Sequence, residues 1–494
     1  MHILRNRVSL RRNLWCQCFL MAVIGAVLQE RSASAARAAE QVLQDREITL
    51  AIENALLNDV SVPTHLLDVQ TKDGIATLSG SVDNLLAKER AAAVAQTIKG
   101  VRAVVNKVAV VPAARTDKQI RSDVMTALTR DPVTAAYEID LMVKDGVVTL
   151  SGTVQSWHAK QLAAQIVKSV RGVKDVENDI TFTYPATRPD AEIAADIQSR
   201  LESDVWIDGG LIVVEVNDAQ VTLHGAVGSA AEKHRAYGTA WVSGVQAVDD
   251  SRLEVTWWAR NEMRRRSKHT AKSDQDIQHA VHAALTQDPR VVTFNPTVEV
   301  KNGVVTLTGV VNNLKAKHAA EQDAQNTVGV RRVKNYLKVR PSDVPSDTEI
   351  VQTIREALAL DPYAYRYDIH LSVRNGQVTL HGNVDSTFDK ERVEEITAGI
   401  NGVVALNNYL IVNATWSHKD DEDIEEDIES ELWWSPFVSR EEITVSVQDG
   451  VATLTGTVDS WRERRIATEK AYAGGAKSVR NHLRLRGASA AQPS

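Results

Sequence analysis

Residues 139–154 alternate in character: Ile139, Leu141 and Val143 are interleaved with Asp140, Met142 and Lys144, then Val148, Leu150 and Val154 with Thr149, Ser151 and Thr153. A period of two sends successive side chains to opposite faces, so the stretch predicts two strands, each apolar on one face and mostly polar on the other. Asp145-Gly146 lies between them, a pair that readily supplies the positive φ angles of a tight hairpin. Elsewhere the period lengthens. Ile424, Ile428 and Leu432 recur every fourth residue, the spacing of one buried helical stripe.

Both patterns recur along the chain. The hairpin line reads KDGIATLSGSV, KDGVVTLSGTV, NDAQVTLHGAV, KNGVVTLTGVV, RNGQVTLHGNV and QDGVATLTGTV. Its TLxG glycine falls at Gly80, Gly152, Gly225, Gly309, Gly382 and Gly456, so the intervals are 72, 73, 84, 73 and 74 residues. Each copy opens on an acidic or amide residue followed by isoleucine: Glu47-Ile48, Gln119-Ile120, Glu192-Ile193, Asp276-Ile277, Glu349-Ile350 and Asp423-Ile424. A first helix starts there, and Thr116 with Gln119 and Ser346 with Glu349 have capping-box spacing. It ends near Asp131-Pro132, Asp288-Pro289 and Asp361-Pro362. The hairpin follows, with turn glycines Gly74, Gly146, Gly303, Gly376 and Gly450. Unit three has Asp218-Ala219 in that place and predicts a looser turn. A second helix then ends on Gly100, Gly172, Gly244, Gly329, Gly402 and Gly475, which suit the left-handed residue after a helix. Six residues beyond each stands Asn106, Asn178, Asp250, Asn335, Asn408 or Asn481, where a third strand is expected to begin.

The fold class is therefore α+β: six tandem αββαβ units, each a three-stranded sheet with two helices on one face. The expected boundaries are 44–112, 116–184, 188–258, 273–341, 346–414 and 420–486, with residues 259–272 a basic linker between two sets of three and 487–494 a tail. Proteolysis is expected to cut that linker first and leave two stable fragments.

DGVVTLSGTV followed about twenty residues later by GVKDVENDI resembles the BON domain, named for bacterial osmotically inducible and nodulation proteins. Hairpin, TLxG glycine and GV-x-x-V-x-N element occur together in all six copies, with departures at Ala219 and Ala476. The resemblance implies a periplasmic or envelope-associated module without catalytic residues, similar to osmotic-stress proteins and to outer-membrane maintenance lipoproteins that bind anionic phospholipid.

The chain has 494 residues, 43% hydrophobic and 24% charged, with a formal charge of −7. That balance is ordinary for a globular chain and gives no chain-wide footprint for nucleic acid. The N-terminus differs: Arg5, Arg7, Arg11 and Arg12 precede an apolar run and then SASAARAA, the layout of a signal peptide over residues 1–39. The apolar run is shorter than the about 18 residues of a membrane span, so no span is expected in a mature chain. The only cysteines, Cys16 and Cys18, fall inside this segment. The expected location is the periplasm of a Gram-negative type of cell.

Motifs for nucleotide, serine or metalloprotease chemistry do not occur, so no enzyme, cofactor or metal is expected. His279 and His282 lie three apart on a helix with no third ligand nearby, and residues 420–431 hold nine carboxylates that read as a solvated helix face. On the second helix of unit two, Trp157, Lys160, Lys168 and Arg171 fall on one side at 100° per residue, and in unit six Trp461, Arg464 and Arg465 repeat the arrangement. Tryptophan flanked by cations is how a helix meets an anionic lipid interface; the alternative is that the tryptophan packs against the next unit, since Leu85 and Leu314 fill the same slot. The linker adds Arg264, Arg265 and Arg266, which a lipid surface would attract and which a plain solvated linker would also carry. The partners expected are anionic phospholipid or envelope proteins. The rival reading is a periplasmic structural or chaperone-like scaffold without lipid binding.

Overall fold

The computed structural model describes residues 43–184, 187–257, 272–291, 294–341, 343–413 and 419–486. The expected signal peptide, most of the basic linker and the tail lie outside the described residues. The described residues from 48 onwards form one compact body.

Each unit follows one plan, seen most simply in unit two. Helix Asp117–Arg130 buries Ile120, Val124 and Leu128, the every-fourth-residue stripe. Strands Ile139–Lys144 and Val147–Val154 pair antiparallel with Lys144 opposite Val147, the register of a two-residue turn. Helix Trp157–Lys168 buries Ala159, Ala163, Ala164 and Val167 against the same sheet face. Asp175–Asn178 then pairs parallel to the second hairpin strand, so the middle strand of the sheet is the second in sequence. Thr116 and Ser346 form the expected capping boxes, and Ser273 with Asp276 forms another.

Three local expectations need correcting or extending. The third strand begins three residues before the asparagine, and the asparagine itself ties strand to helix. Asn106, Asn178, Asn335, Asn408 and Asn481 donate through Nδ2 to the carbonyls of Lys88, Lys160, Lys317, Lys390 and Arg464 on their second helices. Their Oδ1 atoms accept from the N–H two residues on. The turn of unit three is not looser: Asp218 and Ala219 have φ of 51° and 60°, so alanine is held in the left-handed region. An aspartate holds it there. Asp190 accepts from the N–H groups of Asp218 at 2.8 Å and Ala219 at 3.0 Å, as Asp117, Asp274, Asp347 and Asp421 do for their own hairpin turns. Gly152 shows why its slot takes no side chain: at φ 132°, an added Cβ would sit 2.6 Å from the Glu138 carbonyl oxygen.

The units join in two ways. In units one, two and four, the first residue of the second helix enters the core of the next unit. Leu85 and Val110 of unit one pack into unit two, Trp157 and Phe182 of unit two into unit three, and Leu314 and Val339 of unit four into unit five. Across the sets, units one and six, two and five, and three and four pair through equivalent backbone bonds. Lys99 N–H donates to Trp434 O at 3.1 Å, Arg171 to Leu360 at 2.8 Å and Val328 to Ser203 at 2.8 Å. The pair of units three and four adds a return bond, Val205 N–H to Asn326 O at 2.9 Å. The equivalent donors elsewhere are Pro362 and Pro436, which have no N–H. First helices also meet within the pairs: Asn58 donates to Glu431, Arg130 reaches Glu356, and Arg200 donates to the Ala283 carbonyl. The two sets of three are therefore interlocked through all three pairs.

Two outcomes test this packing. Ala219→Gly removes the cost of a left-handed alanine and should raise unfolding stability by about 1 kcal/mol in urea; an unchanged or lower midpoint would argue against that turn. After a single cut within residues 259–272, gel filtration should show both fragments co-eluting at the size of the intact chain. Elution as two independent halves would contradict the pairing.

Candidate binding site

Among the described residues, this packing forms two well-defined concave regions, among others. The larger is a central cavity of about 1080 Å³, lined mainly by the helices of units two to five. Its charges are largely neutralised in pairs. Arg392 holds Asp361 at 2.8 Å, and Arg290 Nε holds both Asp288 oxygens at 2.9 and 3.0 Å. Burial, and then the neighbouring Asp288 carboxylate, pushes the Asp323 carboxyl well above the usual carboxylate range. His158 is pushed down to about 4, chiefly by burial and with Arg200 acting in the same direction. The lining sets these paired charges among apolar side chains such as Leu162, Ile166, Leu360 and Ile396.

The smaller region is a cleft of about 490 Å³ between units four and six, bounded by Gln325, Arg332, Val333, Trp461, Arg462 and Arg464 among others. Arg464 lies 5.0 Å over the Trp461 ring and donates through Nη2 to Asn481 O at 2.8 Å. Arg465 is exposed and meets Glu469 at 3.1 Å. Arg462 stacks 4.1 Å over Trp206 of unit three, whose ring also meets Phe437 edge-on at 4.7 Å. Units three, four and six meet at this place.

The residues expected to share an outward face on unit two are instead distributed over three seams. Trp157 stacks on Trp241 of unit three with centroids 5.3 Å apart and 2° between planes, Lys168 pairs with Glu89 of unit one, and the Arg171 guanidinium lies 4.3 Å over Tyr365 of unit five. Lys160 is half-buried. The physical reason is the slot itself, which in units one and four holds an apolar leucine plugged into the following core. By contrast, the structure brings Trp461, Arg464 and Arg465 together. Arg264, Arg265 and Arg266 lie outside the described residues. His279 and His282 are both exposed, and among the described residues no group of three or more histidine, cysteine or carboxylate side chains is placed to hold a metal. Sequence reasoning missed Arg462 and Arg332. The first was legible in the run WRERR, whereas the second comes from a strand of unit four with no local signal.

His158 gives this interior a pH dependence. Its folded pKa, about 4, lies below the ordinary value near 6.5, so the unfolded chain takes up its proton first. The stability it lends is complete above pH about 6.5 and is lost as the pH falls towards 4. Between pH 7 and 4.5, urea unfolding of His158→Gln should therefore lose less stability than the parent, by on the order of 2 kcal/mol. Parallel pH profiles would show that His158 is not buried neutral.

A BON domain profile matches residues 44–112, 116–184, 189–256, 273–341, 346–414 and 420–487. Osmotically-inducible protein Y of Escherichia coli (strain K12) is 32% identical over 145 residues, 28% of this chain and 72% of that protein. Outer membrane lipoprotein DolP of Haemophilus influenzae is 25% identical over 152 residues, 29% of this chain and 79% of that protein. Among solved structures, the C-terminal domain of CdsD, a structural protein of the Chlamydia trachomatis type III secretion system, aligns with 43% of this chain and 99% of its own at 18% identity and a TM-score of 0.12. With six matched spans covering most of its length, each built as a sheet of hairpin and third strand under two helices, the chain belongs to the BON domain family.

Proposed function

We propose that this chain is an exported, non-enzymatic binding protein of the cell envelope, acting in osmotic or envelope stress by contacting anionic phospholipid. Its relatives are named for osmotic induction and for the outer membrane, and its first 39 residues have the layout of an export signal. The observation that carries the lipid part is local charge. On a chain of formal charge −7, Trp461, Arg464 and Arg465 share one face of a helix with Arg462 beside them. Aromatic and cationic side chains together suit an anionic interface. Among the described residues no helix is long and apolar enough to cross a membrane, so the contact in this reading is peripheral.

A second reading, a periplasmic scaffold for partner proteins without lipid binding, is favoured by a different observation. The aromatic and cationic residues of unit two are occupied in joining units, while Met142, Tyr409 and Ile411 stand exposed on outer sheet faces.

Protein from fractionated cells should start between residues 33 and 41, and should sediment with vesicles of anionic but not neutral phospholipid, less so as salt rises. An intact Met1 in the cytoplasmic fraction would overturn export. Indifference to anionic vesicles at low salt would overturn the lipid reading in favour of the scaffold.

A further inference from the structure

The cleft between units four and six lies beside a second-helix start that is covered differently from those of units one, two and four. Leu85, Trp157 and Leu314, each first in its second helix, are plugged into the core of the following unit. Trp461 occupies the same position in unit six, yet it faces the edge of unit four across a space of about 490 Å³.

The chemistry around that space is one-sided. Four arginines, Arg332, Arg462, Arg464 and Arg465, line it, and no carboxylate does. Glu469 takes up part of Arg465 from outside the lining. The indole Nε1 of Trp461 and the Nε of Arg462 are buried donors with no acceptor among the described residues. Burial, and then the nearby Arg465 cation, pushes the Arg462 guanidinium down to about 10, with Glu469 and Asp204 offsetting only part of this. Buried donors and clustered cations are ordinarily satisfied by an acceptor of opposite sign. Guanidinium forks match the oxygens of carboxylate and phosphate, which accept two parallel N–H bonds from one arginine, and phosphate is the group that the anionic surface of the proposed function presents.

We propose that this cleft is a binding site for a phosphate-type oxyanion, held by Arg332 from unit four and by Arg462, Arg464 and Arg465 from unit six. The inference deepens the proposed function by giving its anion chemistry a location. A phosphomonoester in solution and the phosphodiester headgroup of an anionic phospholipid both present anionic non-bridging phosphate oxygens, and experiment distinguishes them. A bound anion also joins unit six to unit four, a contact outside the three pairs, so it should tighten the whole particle.

The test uses the full chain and a double variant, Arg332→Gln with Arg465→Gln, both side chains being exposed so that the fold is left intact. Titration of the parent with inorganic phosphate and with glycerol phosphate at fixed ionic strength should show saturable binding and a rising thermal midpoint. The double variant should bind at least tenfold more weakly while keeping the parent's midpoint without anion. Vesicles of anionic phospholipid form the second arm: loss of sedimentation in the double variant identifies the headgroup as a source, and unchanged sedimentation identifies the soluble ester. No saturable phosphate response in the parent, or an equal response in the variant, overturns the site. If anionic vesicles still sediment the parent in that case, the membrane reading survives and only the cleft is lost.

Discussion

A unit of about seventy residues cannot bury both of its helices on a three-stranded sheet alone, and the arrangement of the chain follows from that shortage of covering surface. The second helix carries the unmet demand. Its first residue projects beyond its own sheet, and where that residue is Leu85, Trp157 or Leu314 it finds cover in the core of the neighbouring unit. Helix ends pose the same problem in polar form, since their last carbonyls lack internal partners. Trp434, Leu360 and Ser203 each give that carbonyl to an N–H from another unit. Apolar cover passes along the chain while the backbone bonds pass across it, and together they make one body of six small parts.

The unit fold was legible because its signals are local. Alternation, the Asp-Gly and Asn-Gly turns, the capping boxes and the every-fourth-residue stripes each act over a few residues. The aspartate clamp on the hairpin was also within reach: Asp117, Asp190, Asp274, Asp347 and Asp421 each stand three residues before the helix isoleucine. Its two hydrogen bonds span 28 and 29 residues, a distance at which spacing alone does not suggest contact. The asparagine of the third strand was misplaced for a related reason. Its partner is a helix carbonyl 17 or 18 residues earlier, so its position marks a bond rather than a strand start.

The candidate site was less legible because it is built from surfaces that meet only after the units pack. A helical wheel for Trp157 correctly separates two faces, but it cannot say whether the second face meets water or another protein surface. In unit two it meets three other units. In unit six the same wheel places Trp461, Arg464 and Arg465 beside a cleft, and the strand of unit four that completes it lies more than a hundred residues away in sequence. The two helices share a pattern and differ in what covers them.

The pairing of one with six, two with five, and three with four is nested like parentheses. Units three and four flank the shortest intervening stretch, so bringing them together costs the least chain entropy, and each later closure encloses the one before. Once the inner pair has formed, the loop still to be closed for units two and five is already shortened, and then that for units one and six. Assembly from the middle outwards is therefore the least costly order, and it inverts the order of synthesis: the unit made first is the one that waits longest for its partner. Until then unit one holds Leu85 and its neighbours only against unit two, so the beginning of the chain is the part most in need of protection while the end is still being made.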